Sequence, residues 1–140
     1  MDVTVTAITY FYQKNMRLIL TGATGMVGSE VLTQALADPD VLSVTAIVRR
    51  SMPIQHPKLE TIIHKDFTDY SGLENIFQAN DACMWCLGIS QNSVDEQTYI
   101  QITYDYTIAA ATAMLAANPK MVFLFLSGDG ASSEEKSRLL

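Results

Sequence analysis

The sequence lacks the basic runs and long apolar segments that mark several large functional classes. Its 140 residues carry 9 Lys and Arg against 15 Asp and Glu, a formal charge of −6, and the longest basic run is the pair Arg49-Arg50. Because polyanions are usually bound by a basic face, this balance argues against a nucleic-acid partner. No apolar stretch approaches the roughly 18 residues that cross a bilayer, so we also expect no membrane partner.

The chain begins Met1-Asp2 without a positively charged segment. This start argues against a secretory leader and leads us to expect a cytoplasmic protein. Residues 1–15 are β-prone but have no evident strand partner. We therefore predict an N-terminal extension over 1–15 and one domain over 16–140, a length that suits a single domain.

Cysteine is scarce, with only Cys83 and Cys86 present. Their C-x-x-C spacing is typical of redox and zinc sites. Both lie, however, in an apolar run that we predict as a strand, where residues three apart point to opposite faces. Sulfurs on opposite faces can neither share a metal nor form a disulfide. We therefore predict two core thiols and no metal site.

Apolar runs alternate with helical patterns along the rest of the chain. The predicted strands cover residues 17–21, 41–48, 59–64, 82–87 and 121–126. The first predicted helix follows the first strand and stops at Asp38-Pro39. A second, short helix is predicted to be capped by Ser71, and a third, long helix covers about residues 95–117. Apolar strands separated by helices predict a parallel sheet covered on both faces. Right-handed crossovers then give a Rossmann-type, doubly wound α/β fold with strand order 3-2-1-4-5.

A glycine loop lies between the first strand and the first helix, with the sequence Thr21-Gly22-Ala23-Thr24-Gly25-Met26-Val27-Gly28. In this context glycines favour a dinucleotide site. Gly22 permits the tight turn out of the strand, Gly25 lets a diphosphate approach the backbone, and Gly28 lets the helix pack closely. N–H groups at the helix N-terminus would then face the phosphates.

The end of the second strand bears on which dinucleotide is bound. NAD sites usually place Asp or Glu there to accept hydrogen bonds from the adenosine ribose. This chain has Arg49-Arg50 instead, which suits the 2′-phosphate of NADP. We therefore predict NADP, with NAD as the alternative; a solvated basic pair is the structural alternative.

Two further segments follow strands at the same expected edge of the sheet. Asp66, followed by Phe67, is placed where a carboxylate can bond the adenine amino group. Cys86-Leu87-Gly88 is placed where backbone would pass the cofactor, although ordinary turns explain both segments equally well. The residues predicted to bind the cofactor are Gly22, Thr24, Gly25, Met26, Val27, Gly28, Arg49, Arg50, Asp66, Phe67, Cys86, Leu87 and Gly88.

Together these residues resemble the short-chain dehydrogenase/reductase superfamily, and most closely its extended and atypical, epimerase-like NAD(P)-binding branch. The resemblance covers residues 16–140. It implies that Ser127 occupies the position of a catalytic serine that orients the substrate's carbonyl or alcohol. It also implies a Tyr-x-x-x-Lys pair soon afterwards, in which Tyr transfers the proton and Lys lowers its pKa. This sequence departs from that pattern, because no tyrosine follows Tyr106.

The resemblance leaves two main functions open, beside a third, weaker one, a nucleotide-sugar binder with little redox role. One is an NADP-dependent oxidoreductase or epimerase represented by its N-terminal part, with a small-molecule substrate that the sequence does not identify. The other is a non-catalytic dinucleotide-binding module with a regulatory or redox-sensing role.

Under either function the predicted fold is incomplete on its C-terminal side, which would leave the fifth strand as an apolar sheet edge. Such an edge predicts self-association or completion of the sheet by another polypeptide.

Overall fold

The computed structural model describes residues 15–88 and 92–126. The predicted N-terminal extension, apart from Asn15, and the predicted catalytic Ser127 lie outside the described residues. Within them, no helix combines the length and apolar character needed to cross a membrane.

Five strands form one parallel sheet in the order β3-β2-β1-β4-β5. The strands are β1 (Met16–Thr21), β2 (Val41–Val48), β3 (Leu59–Ile63), β4 (Ala82–Trp85) and β5 (Val122–Phe125). The helices are α1 (Met26–Ala37), α2 (Glu74–Gln78), α3 (Glu96–Ile100) and α4 (Tyr106–Ala117), with a π-helical turn, Gln101–Asp105, between α3 and α4. The predicted α/β class and strand order are thus confirmed, and the strand ends differ from the prediction by one or two residues.

Both faces of the sheet are covered, as apolar parallel strands require. On one face, Leu18 and Leu20 of β1 pack with residues of α1 that include Leu32. On the opposite face, Ile19 packs with residues of α2 and α4 that include Phe77 and Met114. The alternation along β1 therefore divides the core into two layers, one on each side of the sheet.

The prediction that Ser71 caps the short helix was wrong. The helix α2 begins at Glu74, and its N-cap residue is Leu73, with no side-chain cap bond. Both the backbone N–H and the hydroxyl of Ser71 donate to Asp69 Oδ1 instead. Ser71 therefore closes a local turn, a role for which short polar side chains compete with helix capping.

The long helix is interrupted where the sequence predicted one regular helix over about 95–117. In the π-helical turn the N–H of Tyr106 donates to the carbonyl of Gln101, five residues back. One extra residue rotates the following helical face by about 100° relative to the preceding one. Residues of α4 from Tyr106 onward consequently pack on the sheet, whereas Tyr99 and Ile102 lie outside the core cluster on that face.

Candidate functional site

The glycine loop makes a left-handed turn directly after β1. Gly22 has φ +70°, and a Cβ built there would stand 2.4 Å from the carbonyl oxygen of Cys86. The Cys86 N–H in turn donates to the Thr21 carbonyl at 3.3 Å. The loop therefore passes directly against the chain that leaves β4, and only glycine fits both the conformation and the space.

The first turn of α1 packs on this same loop. A Cβ at Gly28 would lie 1.8 Å from the Gly22 carbonyl oxygen, and the Gly25 N–H donates to that oxygen at 3.0 Å. A Cβ at Gly25 would meet only one atom within 4 Å, the Gly22 oxygen at 3.3 Å. The side of Gly25 away from Gly22 therefore has room for a ligand group to approach the backbone.

The N-terminus of α1 has the properties of an anion site. Gly25 precedes the helix in an extended conformation, no side chain caps this end, and the first turn contains no acidic residue. The first N–H groups of a helix have no partner within it, and the helix dipole is positive at this end. A diphosphate is a group that these N–H donors can bind.

A cleft of about 380 Å³ opens beside the glycine loop. Its lining includes six of the predicted cofactor residues: Gly22, Thr24, Arg49, Arg50, Phe67 and Leu87. Four further residues line the cleft that were not predicted from the sequence: Ala23, Ile47, Val48 and Ser51. Their positions in the chain, inside the glycine loop or next to the arginine pair, could have identified them as lining residues. The structure thus brings together four parts of the chain that are far apart in sequence: the glycine loop, the end of β2 with the arginine pair, Phe67 and Leu87.

The remaining predicted residues border this cleft without lining it. Gly25, Met26, Val27 and Gly28 form the loop and the start of α1, and Met26 is 90% exposed. Asp66, Cys86 and Gly88 are each adjacent in the chain to a lining residue. Direct contact of these residues with a cofactor remains a prediction.

Asp66 takes part in a turn of its own. Its Oδ1 accepts hydrogen bonds from the hydroxyl and the backbone N–H of Thr68. The Thr68 hydroxyl, followed by the Thr68 N–H, lowers the pKa of Asp66 below 3.8. The carboxylate is therefore charged at neutral pH, and Oδ2 has no partner among the described residues.

Arg49 and Arg50 are exposed at the rim of the cleft, directly after β2. Within the part of the chain that the structure describes, neither guanidinium has an ion-pair or hydrogen-bond partner. The described lining contains no carboxylate. The cleft is consequently positive and suited to a phosphorylated ligand.

The two cysteines lie on opposite faces of the sheet, as predicted. Cys83 is buried in the core layer formed with α2 and α4, whereas Cys86 is half-buried against the α1 layer. Both are free thiols. Burial raises the pKa of Cys83, and it raises the pKa of Cys86 to about 11. These protonated, separated thiols are poorly suited to nucleophilic or redox chemistry.

The sequence is similar to those of known proteins. The chain is 34% identical over 119 residues to leucinostatins biosynthesis cluster protein T of Purpureocillium lilacinum, covering 82% of this chain and 44% of that protein. It is 28% identical over 119 residues to the mitochondrial protein FMP52 of Meyerozyma guilliermondii, covering 84% of this chain and 51% of that protein. The chain therefore spans about half the length of these relatives.

Solved structures share the fold. A short-chain dehydrogenase from Leptospira borgpetersenii, determined with bound NAD⁺, matches with a TM-score of 0.66 at 16% identity, covering 87% of this chain and 56% of that one. A nucleoside-diphosphate-sugar epimerase from Agrobacterium tumefaciens matches with a TM-score of 0.58 at 21% identity, covering 80% of this chain and 37% of that one.

A family model described as NAD(P)H-binding matches residues 22–139, which begin at the first glycine of the loop. The match includes the glycine loop, the arginine pair and all of β2–β5. The chain belongs to this NAD(P)H-binding family, on a fold shared with short-chain dehydrogenases and epimerases.

Proposed function

We propose that residues 16–140 form the cofactor-binding domain of a short-chain-dehydrogenase-like oxidoreductase or epimerase, and that this domain prefers NADP(H) to NAD(H). The observation that carries the preference is the unpaired arginine pair, Arg49 and Arg50, at the rim of a cleft whose described lining contains no carboxylate.

The preference follows from the chemistry of the adenosine ribose. NADP carries a 2′-phosphate, to which a guanidinium can make charge-assisted and bidentate hydrogen bonds. NAD has hydroxyl groups at the same ribose, and these are usually held by an Asp or Glu, which is absent from the described lining of the cleft. Ser51, which also lines the cleft, adds a hydroxyl donor beside the arginines. The α1 N-terminus would hold the diphosphate.

Titration with NADPH and NADH, followed by nicotinamide fluorescence, tests this preference. We expect Arg49→Ala to weaken NADPH binding by about 1–3 kcal/mol, the range for a hydrogen bond to a charged group. NADH binding should change little. Arg17→Ala is the matched control, because it removes the same charge from β1 before the strand reaches the loop. Equal losses for NADPH and NADH in Arg49→Ala would contradict the assignment.

The catalytic part of the proposal rests on the resemblance that places Ser127 beside the substrate. It is tested by assaying the longest natural form of the chain for NADPH oxidation with aldehydes, ketones and nucleotide sugars. We expect turnover that Ser127→Ala reduces while NADPH affinity stays unchanged. Tight NADPH binding without turnover on any of these classes would favour the alternative, a non-catalytic redox-sensing module.

We also infer that the chain self-associates through β5. This strand is an edge of the described sheet, and its Val122 and Phe125 side chains are 43% and 48% exposed. An exposed apolar edge offers unpaired backbone groups to another strand. Sedimentation at micromolar concentration should show a dimer or larger species, which Phe125→Lys should shift toward monomer. A monomeric parent chain would contradict the inference.

The remaining expectation from the sequence concerns the cellular compartment of the protein. We propose a cytoplasmic protein, although the FMP52 relative is named as mitochondrial. Fractionation of cells that express the natural chain tests this, and recovery with mitochondria would contradict it.

A further inference from the structure

His64 connects two of the four segments that form the cleft. Its backbone N–H donates to the Val48 carbonyl at 2.8 Å and so ties it to the residue before the arginine pair. Its Nε2 lies 2.7 Å from the Asp66 carbonyl oxygen and 2.8 Å from the Asp69 carbonyl oxygen. One half-buried residue therefore holds the end of β2 and the turn that follows β3.

The two side-chain contacts determine the tautomer of the ring. A carbonyl oxygen can only accept, so Nε2 must carry a proton that is shared between both oxygens. The ring is also held in place by aromatic neighbours: it stacks on Tyr70, with centroids 5.1 Å apart, and contacts Phe67 at 5.7 Å. Bonds and packing together restrict the ring to one orientation.

The turn held in this way carries Phe67 to the cleft. Phe67 is almost fully buried and forms part of the cleft lining with Ile47 and Leu87. The cleft lining also includes Arg49 and Arg50, which follow Val48 directly. A side-chain change at His64 keeps its backbone bond to Val48 but removes the ring bonds to the turn, so the Asp66–Phe67 turn would be less firmly held relative to the arginine pair.

We propose that His64 is a positioning residue that sets the adenosine end of the cofactor cleft. The proposal rests on the dinucleotide-binding function proposed above. It assigns His64 no contact with the cofactor, because the residue does not line the cleft. Its effect should be confined to the half of the ligand that lies between the arginine pair and Phe67, and the diphosphate contacts of the glycine loop should be unaffected.

The test compares the two halves of the ligand as separate probes. His64→Phe keeps a ring on Tyr70 but removes the donor, and His64→Gln keeps an N–H donor without the ring. We expect His64→Phe to weaken binding of adenosine 2′,5′-bisphosphate about tenfold and His64→Gln about threefold, measured by calorimetry. Binding of reduced nicotinamide mononucleotide should change less than twofold in both variants.

His56→Gln is the matched control, because His56 lies before β3 and its Nδ1 accepts from the nearby Lys58 N–H, with no bond to the Asp66–Phe67 turn among the described contacts. Thermal unfolding of each variant separates positioning from loss of fold, since a merely structural role would lower the melting temperature and weaken the binding of both probes alike.

If His64→Phe does not fold, the test rests on His64→Gln, and parent-like affinity of that variant for the bisphosphate would overturn the proposal. If the parent chain binds neither the bisphosphate nor NADPH, the proposed function itself fails and the role of His64 fails with it.

Discussion

The Cα of Gly28 lies so close to the carbonyl group of Gly22 that a Cβ at position 28 would stand 1.8 Å from the Gly22 oxygen. This contact fixes the start of α1 against the glycine loop. It places the N–H groups of the first turn beside the cleft, and the candidate site depends on it.

Gly28→Ala should consequently disrupt the loop. Because the clash is with backbone rather than a flexible side chain, we expect a loss of about 3 kcal/mol or more in the free energy of unfolding, together with loss of NADPH binding. Gly72→Ala is the control, since Gly72 has φ +87° but no atom within 4 Å of a Cβ. That variant should lower the free energy of unfolding by about 1–2 kcal/mol, the strain of an L-residue in the left-handed region, and leave NADPH affinity unchanged. Urea unfolding and fluorescence titration measure both effects, and a stable Gly28→Ala that binds NADPH would refute the contact.

Lys58 should stabilise α1 from a distance in the sequence. Its ammonium group donates to the carbonyls of Ala35, Leu36 and Asp38, at 3.3, 3.2 and 2.7 Å, at the C-terminal end of the helix. A cation here satisfies carbonyls that have no helical partner and complements the helix dipole. Lys58→Met should lower the free energy of unfolding by about 1–2 kcal/mol. The exposed Lys120 provides the control, and equal urea midpoints for Lys58→Met and Lys120→Met would rule out the capping role.

The turn after β3 should make the fold sensitive to acid. Hydrogen bonds from Thr68 and Ser71, the side-chain bonds first, lower the pKa of Asp66 and of Asp69 below 3.8. A carboxyl group with a depressed folded-state pKa binds fewer protons when folded, so its stabilisation is complete above the unfolded pKa and is lost as the pH falls through the folded pKa. We therefore expect the melting temperature to decrease as the pH drops below 3.8.

Thr68→Val removes the main bond that lowers the pKa of Asp66, so its melting temperature should fall less over this range. Thr33→Val is the matched control, because the Thr33 hydroxyl donates to a helix carbonyl, that of Ser29. Parallel acid profiles for the parent and Thr68→Val would show that the turn does not contribute.

Both cysteines should react slowly in the folded chain. Burial raises the pKa of Cys86 from 9.0 to about 11, which lowers its thiolate fraction at pH 8 about a hundredfold. Cys83 is fully buried and should react more slowly still. Mass spectrometry after iodoacetamide treatment should detect labelling at Cys86 before Cys83, and urea should abolish the difference. Rapid labelling of native Cys83 would contradict the burial of β4.

The strand order, the glycine loop and the division of the cysteines between two faces could be predicted from the sequence. Each depends on local periodicity or on the steric need for glycine after a strand. The cap at Ser71 was predicted wrongly because the helix begins only at Glu74, while Ser71 belongs to a turn in which its N–H and hydroxyl donate to Asp69. Residue propensity alone does not distinguish such a turn from a helix N-terminus. The π-helical turn had no signal, because residues 101–105 contain neither glycine nor proline. The contacts of Lys58 and His64 link residues that only the folded chain brings together.

The sequence by itself therefore determined the class of fold and the loop at which a dinucleotide would bind, because apolar periodicity and glycine spacing are properties of adjacent residues. The sequence also predicted that the arginine pair, the glycine loop and Phe67 share one site. Only the tertiary structure decided that Ala23, Ile47, Val48 and Ser51 line the same cleft, and that His64 joins two of its sides. That assembly depends on the parallel register of β1, β2 and β3, which brings the carboxyl ends of strands distant in sequence to the same edge of the sheet.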